Sequence, residues 1–308
     1  MKQIFFILLL ISSLLSKELI LPVEESPKVD IKKALLGKKL FFDTRLSQDN
    51  SISCASCHDL SKGGDDNRQF SLGIHDQIGE LNAPTVFNSK YNFVQFWDGR
   101  ARNLKEQAIQ PIHNPIEMGS SMPEVVKKLS QDEKYQKLFL EVYAGPITQE
   151  HILDAIVEFE NALITPNAPF DLYLKGDKTA LTQEEKEGFE LFKSFGCISC
   201  HNGRNLGGNL FQKVGVIKPV EQYKDKYLGR YNVTQKEEDK YYYKVPTLRN
   251  VEKTAPYLHS GSYTTLKETV SFMMNHQLGI QPDDETLSKI EAFLKTLTGN
   301  RPQILEMD

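Results

Sequence analysis

A mainly all-α protein made of two tandem copies of one helical unit, joined and interrupted by long loops, is the fold class this sequence predicts. Three observations predict it. Two Cys-x-x-Cys-His pentapeptides, at 54–58 and 197–201, recur in a chain of 308 residues. Gly-x-x-Leu-Phe precedes each one, as Gly37, Leu40, Phe41 and as Gly188, Leu191, Phe192. A late apolar stripe at helical spacing follows each, first Leu153, Ile156, Phe159, Leu163 and then Leu287, Ile290, Phe293, Leu297.

The elements follow in order. Residues 1–17 join one lysine to an apolar run that ends in small residues, too short to span a bilayer comfortably. This predicts a cleaved signal peptide and export to the periplasm, with an uncleaved anchor as the alternative. Residues 18–166 form the first unit; "LITPNAPFD" ends its closing helix at Pro166 and supplies the linker. Residues 167–308 form the second, in which Thr182 and Glu185 predict a capping box at a helix start. Strand signals are sparse, and "KYYYKVPTL" at 240–248 is the best of them. The glycine-rich "SKGGDDN" and "NGRNLGGN" lack the strand-then-helix setting of a phosphate cradle and are predicted loops. A net charge of −4 and the absence of a basic cluster argue against a nucleic-acid partner.

Cys-x-x-Cys-His is the attachment signature of c-type haem. Its spacing puts both thiols on one side of a helical turn, where each can add to a haem vinyl. The adjacent histidine supplies an axial nitrogen. All four cysteines of the chain, Cys54, Cys57, Cys197 and Cys200, fall in the two motifs, so none is left for a disulfide framework. A four-sulfur zinc centre would leave the two histidines unexplained. A redox dithiol expects a single motif in a βαβ setting. Two covalent haems, with His58 and His201 as proximal ligands in cytochrome c-like units, are the expectation.

"LSQDNSISCASCHDLSKGG", "NAPTVFNS", "QFWDGRARNLKEQAIQPIHNPIEMG", "VPTLRNVEKTAPYLHSGS" and "MMNHQLG" together resemble the bacterial dihaem cytochrome c peroxidases, with gaps, from about residue 32 to residue 300. The resemblance implies that the second haem takes electrons and is ligated by His201 and Met273; Met274 is the adjacent alternative, and core filler is the ordinary role of such a methionine. It implies that the first haem meets peroxide, with His75 on the far side of the iron until reduction of the other haem releases it. The family's histidine directly follows the glycine of this loop, a position that is Ile74 here, and a surface histidine is the alternative for His75.

The same resemblance makes Glu117 the acid–base carboxylate of O–O cleavage and Gln107 its accompanying amide. It places Trp97, the only tryptophan, between the haems, with His259 as structural or electronic support. It assigns the side-chain oxygen of Asn82 and the backbone carbonyls of Thr254 and Pro256 to a calcium ion, a hard cation that such neutral oxygens suit. His113, His151 and His276 have no axial role in this scheme.

The expected function is reduction of hydrogen peroxide to water with electrons from a small redox protein, a monohaem cytochrome c or a cupredoxin, by an enzyme that the resemblance implies is a homodimer. Two rivals stand beside it. One is a non-enzymatic dihaem electron carrier. The other is the related dihaem class that oxidises tryptophan on a partner protein; it has tyrosine where Met273 stands, so the methionine favours the peroxidase.

Overall fold

The computed structural model describes residues 19–220 and 227–308, so the signal-peptide expectation at 1–17 lies outside the described residues. The first half holds α1 (Ile31–Phe41), the short α2 (Cys54–Cys57), α3 (Leu104–His113), α4 (Met122–Ser130), α5 (Glu133–Tyr143) and α6 (Gln149–Ala162). The second holds α7 (Pro169–Leu174), α8 (Gln183–Ser194), α9 (Tyr231–Thr234), α10 (Leu266–Leu278) and α11 (Asp284–Lys295). A two-stranded sheet pairs β1 (Phe211–Lys213) antiparallel with β2 (Tyr242–Lys244), the latter inside the stretch with the best strand signal.

Local chemistry starts these helices. The Asp30 side chain accepts from the backbone N–H of Lys32 and Lys33, opening α1. Thr182 and Glu185 form the expected reciprocal box at α8, with Thr182 N–H donating to Glu185 Oε2 at 2.7 Å. α1 then packs on α6 and α8 on α11, one pair in each half.

The paired glycines explain why the two packings match. A Cβ on Gly37 would fall 1.8 Å from the Ala155 carbonyl oxygen, and one on Gly188 would fall 1.9 Å from that of Lys289. Backbone meets backbone at both crossings, which only glycine permits. Beside them Phe41 meets Phe159 at 5.3 Å between ring centroids, and Phe192 meets Phe293 at 5.2 Å. The predicted stripes are buried: Leu153, Ile156, Phe159 and Leu163 in the first core, Ile290, Phe293 and Leu297 in the second, with Leu287 half-buried at its margin.

Residues 19–23 and 304–307 cross between the halves. Ile20 packs in the second core, and Gly203 N–H donates to the Leu19 carbonyl at 2.6 Å. The fully buried Arg249–Asp171 pair (2.7 Å) helps hold this strap: Arg249 Nη2 donates to Leu21 O at 3.0 Å, and Val23 N–H to Asp171 Oδ1 at 3.3 Å. In return Ile304 packs in the first half, where Lys38 Nζ donates to Leu305 O at 3.0 Å. Residues 19–23, grouped by sequence order with the first unit, thus lie on the second. Among the described residues no helix is long and apolar enough to cross a membrane.

Candidate functional site

The two pentapeptides fold alike. His58 N–H donates to Cys54 O and His201 N–H to Cys197 O, both at 3.0 Å, so each histidine closes a single turn bearing its two cysteines. The ring Nδ1 of His58 lies 3.1 Å from Gly64 O, and that of His201 lies 3.2 Å from Leu206 O. A carbonyl can only accept, so Nδ1 carries the proton and Nε2 keeps its lone pair for a metal. Burial pulls both imidazoles below their ordinary range, His201 to about 4, which keeps them neutral ligands. Phe41 and Phe192 buttress these rings at the same centroid distance, 6.5 Å.

Each motif opens onto its own cavity. The first, about 250 Å³, is lined by Cys54, Cys57 and His58 together with Trp97, Gln107 and Glu117. The second, about 370 Å³, is lined by Cys197, Cys200 and His201 together with Trp97, Met273 and Met274. Burial pushes the Cys54 thiol up to about 12 and those of Cys57 and Cys197 up to about 11. A dithiol oxidoreductase needs the opposite shift, toward thiolate. Among the described residues no group of three or more His, Cys, Asp or Glu gathers to hold a metal, so the four-sulfur zinc alternative has no assembled donor set. Paired thiols, one free imidazole nitrogen and apolar walls fit a covalently tethered haem in each cavity.

Glu117 sits in the turn after α3. Its Oε1 accepts from Asn114 Nδ2 at 2.7 Å, and its backbone N–H donates to Asn114 O at 3.0 Å. Burial raises its carboxyl above the usual range, against the opposing pull of Asn114 and Arg100. Gln107, on α3, lines the same cavity. Neither Asn114 nor Arg100 was legible as a partner of Glu117 in the sequence, since neither carries a signal of its own.

His75 is elsewhere. Its side chain is 67% exposed, with Nδ1 3.7 Å from Asp49 Oδ2, and it does not line the first cavity. The expectation that His75 stands opposite His58 is therefore not met in this conformation. The cause is local: φ of +57° at His75 turns its side chain outward, while Ile74 is buried and its N–H donates to Glu117 O at 2.8 Å.

Trp97 lines both cavities and is 9% exposed. It meets His259 edge-on at 6.1 Å, and Tyr243 stacks on His259 at 4.0 Å. Asn82 N–H donates to His259 O at 2.9 Å, and Asn82 Nδ2 to Arg68 O at 2.8 Å, which leaves its side-chain oxygen free of that bond. Asn82, Thr254 and Pro256 all line the second cavity, the last following a cis Ala255–Pro256 bond. Met274 is 1% exposed in the second core, whereas Met273 is half-buried against the separate small cluster of Leu258 and Phe272. His151 stacks on Tyr143 at 4.3 Å, His276 stacks on Phe272 at 4.6 Å, and His113 is exposed.

Two buried acids escaped the sequence reading. Glu160 lines the first cavity with Oε2 unpartnered, and burial pushes its carboxyl up to about 8. It stands four residues after Ile156 on α6, a core-facing position that periodicity alone could have flagged. Asp65 is 1% exposed, its Oδ1 unpartnered, and burial pushes it to about 7. No periodic signal marks its loop.

A family profile described as "Di-haem cytochrome c peroxidase" matches residues 31–179. The cytochrome c551 peroxidase of Nitrosomonas europaea is 48% identical over 288 residues, covering 93% of this chain and 86% of that one. The cytochrome c551 peroxidase of Pseudomonas aeruginosa is 44% identical, covering 87% and 79%. Among solved structures, a MauG-like protein associated with microbial copper homeostasis superposes with a TM-score of 0.80 at 26% identity, covering 91% of this chain and 93% of that one.

Proposed function

This chain belongs to the di-haem cytochrome c peroxidase family, enzymes that reduce hydrogen peroxide, and from that premise we propose how its two cavities divide the work. Peroxide is bound and cleaved at the His58 cavity, and electrons from a small redox protein are received at the His201 cavity. The observation that carries this division is the unequal lining: Glu117 and Gln107 border the first cavity, Met273 the second, and Trp97 both.

When bound, the haems supply one-electron chemistry at both irons and a coordination position for peroxide at the first. The chain does the rest. His58 and His201 present Nε2 to their irons, held by the Gly64 and Leu206 carbonyls. Asn114 holds Glu117 Oε1, which leaves Oε2 to take a proton from peroxide and return it to the departing oxygen. Gln107 orients the substrate through its amide. Each turnover consumes one H₂O₂, two electrons and two protons and yields two waters. His75 faces Asp49 and does not line this cavity, so it would not compete with substrate there.

In this proposal Met273 would supply a thioether to a haem held at the His201 site, a ligand type that favours the reduced state and raises the potential. Asn82 with the Thr254 and Pro256 carbonyls holds calcium between an N-terminal unit (18–166) and a C-terminal unit (167–308) whose end segments are exchanged. Export through a signal peptide at 1–17, a monohaem cytochrome c or cupredoxin as donor, and a homodimer complete it.

The test is Glu117→Gln. Two haems per chain by pyridine haemochrome, with peroxide turnover down by about 10²–10⁴, is the expected result. Wild-type turnover would remove Glu117 from the chemistry. Fewer than two haems in the wild-type chain would overturn the whole assignment.

A further inference from the structure

The second cavity is bordered by a buried lysine that takes no part in holding a haem through His201 or Met273. Lys244, on β2, is 5% exposed and lines the cavity of His201. Among the described residues no aspartate or glutamate lines that cavity, and Lys244 is its only lysine or arginine. Its ammonium makes no ion pair or side-chain hydrogen bond among the described residues, and burial alone lowers its affinity for its proton, to about 8. Its position is set by the backbone: the Lys244 N–H donates to Trp97 O at 2.7 Å, and the β2 register places Phe211 opposite.

An isolated buried ammonium is costly in a protein interior. A lone cation that borders a cavity and has no acid across from it is resolved most simply by an anion brought in by whatever fills that cavity. The first cavity is lined differently, with Glu80, Glu117 and Glu160 along its wall and Arg100 as its only lysine or arginine among the described residues.

We propose that Lys244 is the counter-ion for a carboxylate of the group tethered at Cys197 and Cys200, and that its charge holds the His201 site at a higher potential than its axial ligands alone would set. This rests on the two-haem reading, in which the group carries propionates. The oxidised iron centre carries one more positive charge than the reduced one, so a fixed cation nearby favours reduction. Among the described residues the first cavity has no lysine in its wall. The inequality of the two sites is thus built into the buried charges of the chain as well as into its axial ligands, and Lys244 acts as a positioning residue.

The test is a stepwise redox titration of the intact holoprotein, followed by visible and EPR spectra, with Lys244→Met and Lys244→Arg beside the wild type. For Lys244→Met the expected result is two haems, unchanged thioether ligation, and a reduced-to-oxidised ratio of the second haem lowered roughly tenfold at the wild-type midpoint, about 59 mV for one electron. Lys244→Arg keeps the charge and stays within about threefold. Loss of the second haem from Lys244→Met alone also supports the proposal, since the charge is then needed to seat the group. A wild-type midpoint in Lys244→Met overturns it. So does an equal shift, or an equal loss of haem, in both variants, because packing rather than charge would then be at work. Failure of the two-haem reading itself shows separately, as fewer than two haems in the wild type.

Discussion

The indole Nε1 of Trp97 donates to the carbonyl oxygen of Asn82 at 2.9 Å, where the two cavities meet. Asn82 in turn donates to His259, and Lys244 donates to Trp97, so the ring is fixed by partners from both halves of the chain. Trp97→Phe keeps an aromatic ring but leaves the Asn82 carbonyl without its donor, a cost of about 1–3 kcal/mol. Both haems should be retained while electron transfer between them slows, as read by stopped-flow after rapid reduction of the second. An unaltered rate would take Trp97 out of the path.

Met273→His replaces a thioether with an imidazole and should lower the potential of the second haem, blocking activation by mild reductants. A spectroelectrochemical titration decides it. If the midpoint stays where it was, the ligand is Met274 or another group.

Gly37→Ala forces a methyl group to within 1.8 Å of the Ala155 carbonyl oxygen, which α1 and α6 can relieve only by moving apart. Overpacking of this kind costs about 1–3 kcal/mol or more. Gly188→Ala, at 1.9 Å from Lys289 O, should behave alike in the other half. Thermal unfolding within about 0.5 kcal/mol of wild type in either variant would refute the close crossing.

His75→Ala should change stability by less than about 0.5 kcal/mol, because the side chain is 67% exposed and its Nδ1 lies 3.7 Å from Asp49 Oδ2. With the histidine facing outward at rest, the ferric EPR spectrum of the first haem should not change. Conversion of a low-spin signal to high spin in the variant would mean that His75 occupies the iron in the resting enzyme and that its loop turns inward.

Glu160→Gln tests the buried acid on α6. Its folded-state affinity for a proton is raised, from 4.5 to about 8, so the stability it contributes is fully present below about pH 4.5 and is lost as pH rises through about 8. The amide does not titrate. Wild type and variant should therefore diverge between those limits, with the variant relatively more stable at pH 8 than at pH 5 in denaturant melts. Parallel pH profiles would show that Glu160 meets a compensating partner.

The haem-attachment signature, the duplication, the crossing glycines and the buried stripes of α6 and α11 were legible in the sequence because each is a local pattern. A turn must carry two thiols and an imidazole at fixed spacing, and a helix must repeat its apolar face every three to four residues. Other features were decided only when distant segments met. The direction of His75 follows from one positive φ and the burial of its neighbour Ile74. The exchange of Leu19–Val23 and Ile304–Met307 between halves follows from contacts more than 140 residues apart in sequence. Glu160 in one cavity and Lys244 in the other take their unusual proton affinities from walls built by several elements at once. Spacing along the chain sets which atoms can share a turn; desolvation sums over everything that surrounds a group, and that sum exists only in the folded state.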